Sequence, residues 1–385
     1  MKCFCKFIPD YRRILPLLIL LASCSPRYAQ SLRQPVALSC VEPAFLKPGD
    51  KVALISPSYH TPMENVDAAA KILRDWGLES VVGAHVGKVH RGRYAGTTQE
   101  RLADLEWALA DPSIKAILCN RGGYGTIRLV NKLSPEAIAA HPKWLIGFSD
   151  ITTLHAMETR SGVISLHATM CSLMAKSRGR DLSSTLVRNI LYGTIPVYET
   201  PTHPQNRPGH GRGTLVGGNL CTFTPILGTD ADATLGEDII LFIEEVEEDM
   251  SHIDRLVNTL LLNGVLDRCK GVILGEFTGC KANLGFGSVE EMIGTYLKDY
   301  DIPVLCGFPA GHGDVNLPLL MGATVDLDVT DTGATVTFDV PGQTRRIRTA
   351  DALKESQPLR VDEVDKPAKF VRFIDFRRHF EGIRR

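Results

Sequence analysis

The chain has 385 residues, of which 44% are hydrophobic and 23% are charged, and its formal net charge is -1. That length allows one large domain or two ordinary ones, and the composition is normal for a globular protein and excludes bulk disorder. The balanced charge gives no reason to expect nucleic acid as a partner, and no RNA- or DNA-binding motif occurs in the sequence.

The first residues have the pattern of an export signal. Basic residues in MKCFCKFIPDYRR precede the apolar run ILPLLILLA, which is too short to span a bilayer as a helix. The run ends in LASC at 21–24, and small residues before a cysteine resemble a bacterial lipobox. This pattern predicts cleavage before Cys24, lipidation of its thiol, and anchoring to a membrane facing the periplasm. The alternative is an ordinary signal peptide cut nearer RYAQ, where Arg27 fits poorly.

The cysteines do not form a recognisable binding motif. Of the ten, three lie at or before Cys24 and seven follow it. The seven are odd in number and widely spaced, and no CxxC pair occurs among them, so the spacing indicates neither a zinc site nor a disulfide scaffold. We expect most of them to be buried thiols, and the sequence predicts no metal and no other cofactor.

Strand and helix patterns alternate from residue 45 onward. They are, in order, the strand KVALISPS, the helix MENVDAAAKILRDWG, the strand ESVVGAHV, the helix TTQERLADLEWALADP, the strands IKAILC and KWLIGF, and a helix over 150–160. Alternation of this kind predicts an α/β fold, beginning with a Rossmann-like domain built on a parallel sheet.

A second unit follows a segment rich in Pro, Gly and His at 195–213, which we interpret as a linker. Its elements are a start at TLVGGNL, the strand DIILFIEEV, the helix SHIDRLVNTLLLNGVL, the strand KGVILGEF, the helix SVEEMIGTYLKDY, the strand and loop IPVLCGFPAGHG, and a hairpin of ATVDLDV and ATVTFDV around TDTG. This predicts a smaller C-terminal α/β domain closed by a hairpin.

The predicted organisation has six parts. They are a signal peptide (1–23), a tether (24–44), an N-terminal domain (45–194), a linker (195–213), a C-terminal domain (214–345) and a basic extension (346–385). The last twenty residues interleave Phe with Lys and Arg, and we interpret them as a surface helix docked by its Phe side chains, with contact to anionic lipid or cell wall as the alternative.

Three loops leave the carboxyl ends of strands in the first unit, where open α/β sheets bind ligands. They are SPSY at 56–59, RGGYG at 121–125 and FSD at 148–150. The glycines of RGGYG leave room for backbone amides to approach a phosphate or an oxyanion. The sequence is neither a P-loop nor GxGxxG, so nucleotide binding is not supported, and a simple tight turn is the alternative.

Ser149 begins the helix after KWLIGF, so it is either a helix cap or a nucleophile presented at a strand-to-helix turn. A nucleophilic serine requires a base and a group that orients the base. His312 in the Gly-flanked loop GFPAGHGDVN and Glu244 at the end of DIILF are candidates. The alternatives are that His312 is only a turn residue and that Glu244 belongs to a solvated acidic loop. His155 lies on the same helix as Ser149 and is expected to point away from it.

Several motifs together resemble one family. ISPS, RGGYG, IGFSDIT, SLHATM, GTLVGGNL, LFIEEVEEDMSHIDR and AGHGDVN occur in order over about residues 45–345. This resembles the LD-carboxypeptidases, or muramoyltetrapeptide carboxypeptidases, which are serine peptidases with a Ser-His-Glu triad. The resemblance implies hydrolysis of the L,D-amide bond that releases terminal D-alanine from murein tetrapeptides, without metal or cofactor, by a protein that is a homodimer.

The same resemblance assigns roles to residues. It implies Ser149 as nucleophile, Glu244 as triad acid and His312 as triad base, with the amides of Gly123 and Asp150 as the oxyanion hole. Either Arg121 or Arg255 could bind the substrate carboxylate. Because the family more often has Asp after its triad Glu, Glu245 here leaves the choice between Glu244 and Glu245 open.

The motifs leave two other functions open. One is a peptidase resembling the microcin C immunity enzymes, which cleave an acyl link to a nucleotide-like group and would need an aromatic platform for the base. The other is a lipoprotein that binds wall peptides without cleaving them, although a pure binder has no need of a serine, a histidine and a glutamate together.

Overall fold

The computed structural model describes residues 38–351. The predicted lipidation site Cys24 and the basic extension beyond residue 351 therefore lie outside the described residues. Within residues 38–351, no helix combines the length and the apolar character that crossing a membrane requires.

The described residues form two sheets. The strands are, in chain order, β1 (Lys51–Ile55), β2 (Glu79–Val82), β3 (Ile114–Cys119), β4 (Trp144–Gly147), β5 (Ser165–His167), β6 (Thr194–Pro201), β7 (Gly209–Asn219), β8 (Ile239–Val246), β9 (Cys269–Thr278), β10 (Val304–Leu305), β11 (Leu319–Met321), β12 (Thr324–Thr330), β13 (Gly333–Phe338) and β14 (Gln343–Arg348).

The helices lie between and around the sheets. They are α1 (Met63–Asp75), α2 (Thr98–Ala110), α3 (Pro135–Ala140), α4 (Thr152–Arg160), α5 (Cys171–Ser177), α6 (Leu182–Leu191), α7 (Leu220–Phe223), α8 (Met250–Leu262) and α9 (Val289–Leu297). Several of them begin with a side-chain cap: Thr97 and Glu100 form a capping box at α2, and Asp181 accepts a hydrogen bond from the Ser184 amide at α6.

The first sheet has the order β11-β5-β4-β3-β1-β2, and all its pairs are parallel except β11 with β5. Setting β11 aside, this is the doubly wound order 2-1-3-4-5, and its strand order reverses between β1 and β3. Strands β3 and β4 are buried along almost their whole length, as expected for a parallel sheet covered on both faces. The α/β fold with a parallel N-terminal sheet is confirmed.

The second sheet has the order β10-β9-β8-β7-β12-β13-β6-β14. Its β7–β8–β9–β10 part is parallel, and β12 and β13 form the predicted antiparallel hairpin, with Thr330 opposite Gly333. With eight strands it has two more than the first sheet.

The prediction of a linker at 195–213 is wrong. Most of this segment forms β6 and the first half of β7. Pro201 ends β6, where no further ladder bond is needed, and Gly211 lies so close to the backbone of Lys270 that a Cβ would collide with its carbonyl oxygen. The glycines therefore permit a close approach of strands and do not mark a loop.

The division into two consecutive domains needs two corrections. β11 lies within the predicted C-terminal domain but pairs with β5 of the first sheet, and its three residues are buried. Conversely, β6 begins at Thr194 and β14 continues to Arg348, so the second sheet extends beyond both predicted boundaries. The two sheets are therefore interleaved in sequence. The pairing of the short strands β11 and β5 consequently helps to fix their relative position.

Candidate active site

Ser149 lies at the sharp turn between β4 and α4. Its backbone φ is +63°, in the left-handed region that residues other than glycine seldom adopt. Phe148 and Asp150 on either side are buried, whereas Ser149 is half-buried. Its side chain makes no capping hydrogen bond to the short helical turn that it begins, nor to α4, so the helix-cap reading is wrong. A strained turn that presents a serine hydroxyl is the geometry of a nucleophile elbow.

Asp150 ties the three loops of the first sheet together. Its carboxylate accepts hydrogen bonds from Ser58 Oγ at 2.7 Å and from the Thr126 amide at 2.9 Å. Thr126 Oγ1 also donates to the Asp150 carbonyl at 2.5 Å. Since Ser58 follows β1 and Thr126 follows the RGGYG turn, the buried Asp150 side chain fixes both loops relative to Ser149.

The RGGYG turn lies directly against the serine. A Cβ placed on Gly122 would be 3.0 Å from Ser149 Cβ, 3.1 Å from its Oγ and 3.4 Å from the Asp150 amide nitrogen. Gly123 has a φ of +123°, and a Cβ there would collide with the ring of Tyr59. Only glycines fit this turn, and its backbone and the Asp150 amide both border the Ser149 hydroxyl.

Glu244 and His312 form a hydrogen-bonded pair in which only the acid is fully buried. His312 Nδ1 and Glu244 Oε2 are 2.8 Å apart, a hydrogen bond in which the Nδ1–H tautomer donates. The Glu244 side chain is 0% exposed and that of His312 is 19% exposed, so the acid is enclosed while the ring can still be reached. A Cβ on Gly311 would come within 2.9 Å of Glu244 Oε2, which explains why glycine precedes the histidine.

Glu245 points away from this pair. Its carboxylate accepts hydrogen bonds from Asn219 Nδ2 at 2.9 Å, the Cys221 amide at 2.8 Å and the Val246 amide at 2.9 Å. Adjacent strand residues face opposite sides of a sheet, so only one of the two glutamates can contact His312. The structure places Glu244 there and uses Glu245 to hold the start of α7.

The charge environment of His312 favours its protonated form. Burial lowers the pKa of the ring, but the hydrogen bond and charge of Glu244, with the charges of Glu245 and Glu276, outweigh burial and raise the pKa above its ordinary value. Glu276 packs against Gly313, and burial raises the pKa of its own carboxyl to about 7. The imidazolium that forms when this ring accepts a proton is therefore stabilised.

Phe148 connects the two halves of the site. Its ring centroid is 4.9 Å from that of His312 and 5.8 Å from that of the buried His167. The Asn219 amide of β7 donates to Thr152 Oγ1 of α4 at 3.1 Å, which fastens the elbow helix to the second sheet. Across residues 38–351, no hydrogen bond joins Ser149 Oγ to His312, and catalytic hydrogen bonds are often formed only when substrate is bound.

The other predicted residues differ in their positions. Arg121 is exposed on the RGGYG turn, with its guanidinium 6.0 Å from the ring centroid of Tyr59. Arg255 is exposed on α8, and in the part of the chain that the structure describes nothing bonds it to Ser149 or His312. His155 points away from the serine as predicted: its ring is buried between Ser165 Oγ and the Gly147 carbonyl, each 2.8 Å away, and burial lowers its pKa to about 4.

Sequence reasoning missed several residues that build the site. These are Ser58, Thr126, Phe148, Glu276 and the buried Arg101, which donates to the Pro57 and Gly125 carbonyls at 2.5 and 3.0 Å. Ser58, Thr126 and Phe148 lie in or next to the loops SPSY, RGGYG and FSD, and that position could have indicated them. Arg101 and Glu276 carry no local signal, because a charged residue in a helix or strand is ordinarily solvated.

The fold and the site define a hydrolase class: an α/β protein that presents a serine at a strand-to-helix turn, with a glutamate–histidine pair whose histidine packs against the residue before that serine. Family models for the LD-carboxypeptidase N-terminal domain and C-terminal domain match residues 52–168 and 212–327. The chain therefore belongs to the LD-carboxypeptidase family and is a carboxypeptidase of the serine type.

Individual relatives agree with this assignment. A Synechocystis protein with a provisional carboxypeptidase name is 38% identical over 75% of this chain and 94% of its own. The murein tetrapeptide carboxypeptidase of Pseudomonas aeruginosa is 32% identical over 72% of this chain and 93% of its own. The crystal structure of an MccF-like protein from Bacillus anthracis superimposes with a TM-score of 0.69 at 23% identity, covering 78% of this chain and all of that one, and thereby shows the fold.

Proposed function

We propose that this enzyme hydrolyses the amide bond between an L-centre and the terminal D-alanine of murein tetrapeptides, by a triad of Ser149, His312 and Glu244. The observation that carries the proposal is the 2.8 Å Glu244–His312 hydrogen bond beside an elbow whose serine has a left-handed backbone. The murein tetrapeptide named for the Pseudomonas relative supports the choice of substrate.

The geometry supports a two-step acyl transfer. His312 Nε2 takes the proton of Ser149 Oγ as the oxygen attacks the scissile carbonyl, while Glu244 keeps Nδ1 protonated and balances the imidazolium. The His312 proton then passes to the departing amine of D-alanine, the C–N bond breaks and an acyl-Ser149 ester remains. Water, deprotonated by the same ring, hydrolyses the ester and restores the serine. We expect the hydrogen bond between Ser149 Oγ and His312 Nε2 to form when the substrate is bound.

The oxyanion of the intermediate would lie between the RGGYG turn and the elbow, against the amides of Gly123 and Asp150. The close approach of Gly122 to Ser149 supports this location. Loss of one such donor typically costs about 3–4 kcal/mol of barrier. Arg121, at the start of the same turn, is the better placed of the two predicted arginines to bind the substrate's terminal carboxylate.

The decisive experiment measures D-alanine release from a purified murein tetrapeptide. We expect release by the wild-type full chain and none by Ser149→Ala, with a fluorophosphonate probe labelling only the wild type. A Ser→Ala change at Ser113, a surface serine before β3, is the matched control and should leave release unchanged. If the probe labels the wild type but no D-alanine is released, the protein is a serine hydrolase with another substrate. If Ser149→Ala releases as much D-alanine as the wild type, the proposed triad is wrong.

A second candidate substrate is an acyl-nucleotide conjugate, and one feature favours it. Tyr59, Tyr94 and Tyr124 form a cluster with ring centroids 5.8 and 6.2 Å apart beside the RGGYG turn, and Tyr124 is 43% exposed. An exposed ring of this kind can stack on a nucleobase. Hydrolysis of such a conjugate with loss of activity in Tyr124→Ala, and no hydrolysis of the tetrapeptide, would favour this candidate.

We also propose that the enzyme works in the cell envelope as a lipid-anchored homodimer. The proposal rests on the lipobox at Cys24 and, for the dimer, on the family resemblance alone. Incorporation of labelled palmitate that is lost in Cys24→Ser would support the anchor, and light scattering of the solubilised protein would measure the oligomeric state.

A further inference from the structure

Cys221 and an i,i+4 pair, Glu248 and His252, bring metal-ligating atoms together beside the candidate active site. They lie on α7, in the loop after β8 and in the first turn of α8, respectively. Their thiol, carboxylate and imidazole donor atoms all lie within 4.8 Å of one another, and all three residues are half-buried. The Glu248 and His252 side chains are already in contact, with Oε2 and Nδ1 2.7 Å apart.

We propose that Cys221, Glu248 and His252 bind a divalent transition-metal ion of the Zn²⁺ class. A thiolate and an imidazole favour such ions over Mg²⁺ and Ca²⁺, which prefer oxygen ligands. Bond lengths of about 2.0–2.3 Å place tetrahedral ligand atoms about 3.3–3.6 Å apart. The observed spread of up to 4.8 Å therefore requires only side-chain rotation, with the Glu248–His252 contact opening to admit the ion.

The surroundings of the cluster suit a cation. The Cys221 amide donates to Glu245, whose buried carboxylate lies behind the cluster. The carboxylates of Glu245 and Glu248 make the cluster negative, and this charge attracts a divalent ion.

Metal binding exchanges a proton for the ion and changes no oxidation state. The Cys221 S–H bond breaks, its proton goes to solvent, and an S–Zn bond forms. The carboxylate of Glu248 and the Nδ1 lone pair of His252 supply the other two ligands, while the ring proton of His252 moves to Nε2. Water fills the fourth position, because three protein ligands leave a tetrahedral site open.

Such an ion would join the start of α7 to the start of α8. Both segments adjoin the glutamate pair: Asn219 and Cys221 hold Glu245, and Glu248 follows Glu244 by four residues. The bound ion would therefore fix the loop next to Glu244, the proposed catalytic acid. Metal binding at this site can be measured without any assay of peptidase activity.

The test measures metal binding to the purified full chain after treatment with a chelator. We expect one equivalent of Zn²⁺, and with Co²⁺ a near-ultraviolet sulfur-to-cobalt charge-transfer band. Cys221→Ser should abolish the band, and both Cys221→Ser and His252→Ala should weaken binding at least about tenfold, because loss of a direct ligand exceeds the loss of an outer-shell partner. Zn²⁺ should raise the melting temperature of the wild type and not of the variants.

Two controls make the result specific. Cys280→Ser removes another half-buried thiol near Glu248, and His210→Ala removes a surface histidine that pairs with Asp328. Both should bind like the wild type. The proposal is wrong if the wild type binds no more metal than folded Cys221→Ser does, or if the cobalt band disappears in Cys280→Ser and persists in Cys221→Ser. Circular dichroism confirms folding, and Glu248→Gln provides a third variant should Cys221→Ser not fold.

Discussion

Replacement of Glu244 by glutamine tests the reasoning about the site most directly. The substitution keeps the shape of the side chain while removing the charge that His312 contacts at 2.8 Å. A glutamine amide that donates to Nδ1 forces the ring proton onto Nε2, and that nitrogen can then no longer accept the proton of Ser149. Triads that lose their acid in this way lose about 10⁴-fold in kcat.

The burial of Glu244 sets the expected magnitude. Its side chain is fully enclosed, so water cannot replace the lost partner of His312. We expect kcat/KM for D-alanine release to fall by about 10³- to 10⁴-fold, which corresponds to about 4–5.5 kcal/mol of barrier. The fall should appear in kcat more than in KM, because the imidazolium that Glu244 stabilises forms only along the reaction.

The pH profile adds a readout that a structural role would not change. The base must be neutral to act, so activity falls as pH drops through the pKa of His312, which lies above its ordinary value in the wild type. Burial opposes this rise, and the hydrogen bond and charge of Glu244 are its main source. In Glu244→Gln the pKa of His312 should drop, and the acid limb of kcat/KM should move to lower pH.

Glu276→Gln is the matched control for this profile. It removes a charge that also raises the pKa of His312, but it leaves the Nδ1 hydrogen bond and the tautomer in place. Its acid limb should move in the same direction but by less, because a carboxyl with a pKa of about 7 is already partly protonated there, and the loss at the optimum should be less than about tenfold. If Glu244→Gln retained activity within tenfold of the wild type, or if its acid limb did not move, the assignment of Glu244 would be refuted.

Three further predictions concern the elbow and the core. Ser149→Gly should be more stable to urea than Ser149→Ala by about 1 kcal/mol, because glycine relieves the strain at φ +63°; equal stability would argue against strain. Gly122→Ala should lower kcat about 10²-fold, since its Cβ would lie 3.1 Å from the Ser149 Oγ, whereas Gly294→Ala, with nothing within 4 Å, should not change activity. Glu158 is fully buried, and burial raises its pKa from 4.5 to about 8, so the native state holds a proton that the unfolded chain releases and stability falls as pH rises between these values. Urea unfolding of wild type and Glu158→Gln should diverge by about 2–3 kcal/mol between pH 5 and pH 7, and parallel curves would contradict the shift.

Much of the first half of the molecule was predictable from the sequence. Short apolar runs that end in turn residues predicted β1, β3 and β4, because a strand buried on both faces needs a continuous apolar stretch. The position of Ser149 after β4 followed from the same local pattern. What the pattern could not decide was whether the serine caps a helix, because that depends on a backbone angle and not on residue type.

The choice between Glu244 and Glu245 required the tertiary structure. The sequence places two adjacent glutamates at the end of a strand, and the pleat then directs them to opposite faces. The β8–β9 pairing also shifts register between Ile243 and Glu245, a bulge of the kind that re-aims side chains next to active sites. Which glutamate contacts His312 is settled by the position of a loop 68 residues away.

The sequence by itself determined the family, the α/β class and the order in which the site residues occur, since each depends on local patterns and ordered motifs. The tertiary structure alone decided that 195–213 forms strands, that β11 returns to the first sheet, and that Cys221, Glu248 and His252 meet. The physical reason is the same in each case. Whether a proline or glycine ends a strand or is accommodated in one depends on the strands that pair with it. A set of metal ligands forms only where packing brings their side chains within a few ångströms of one another.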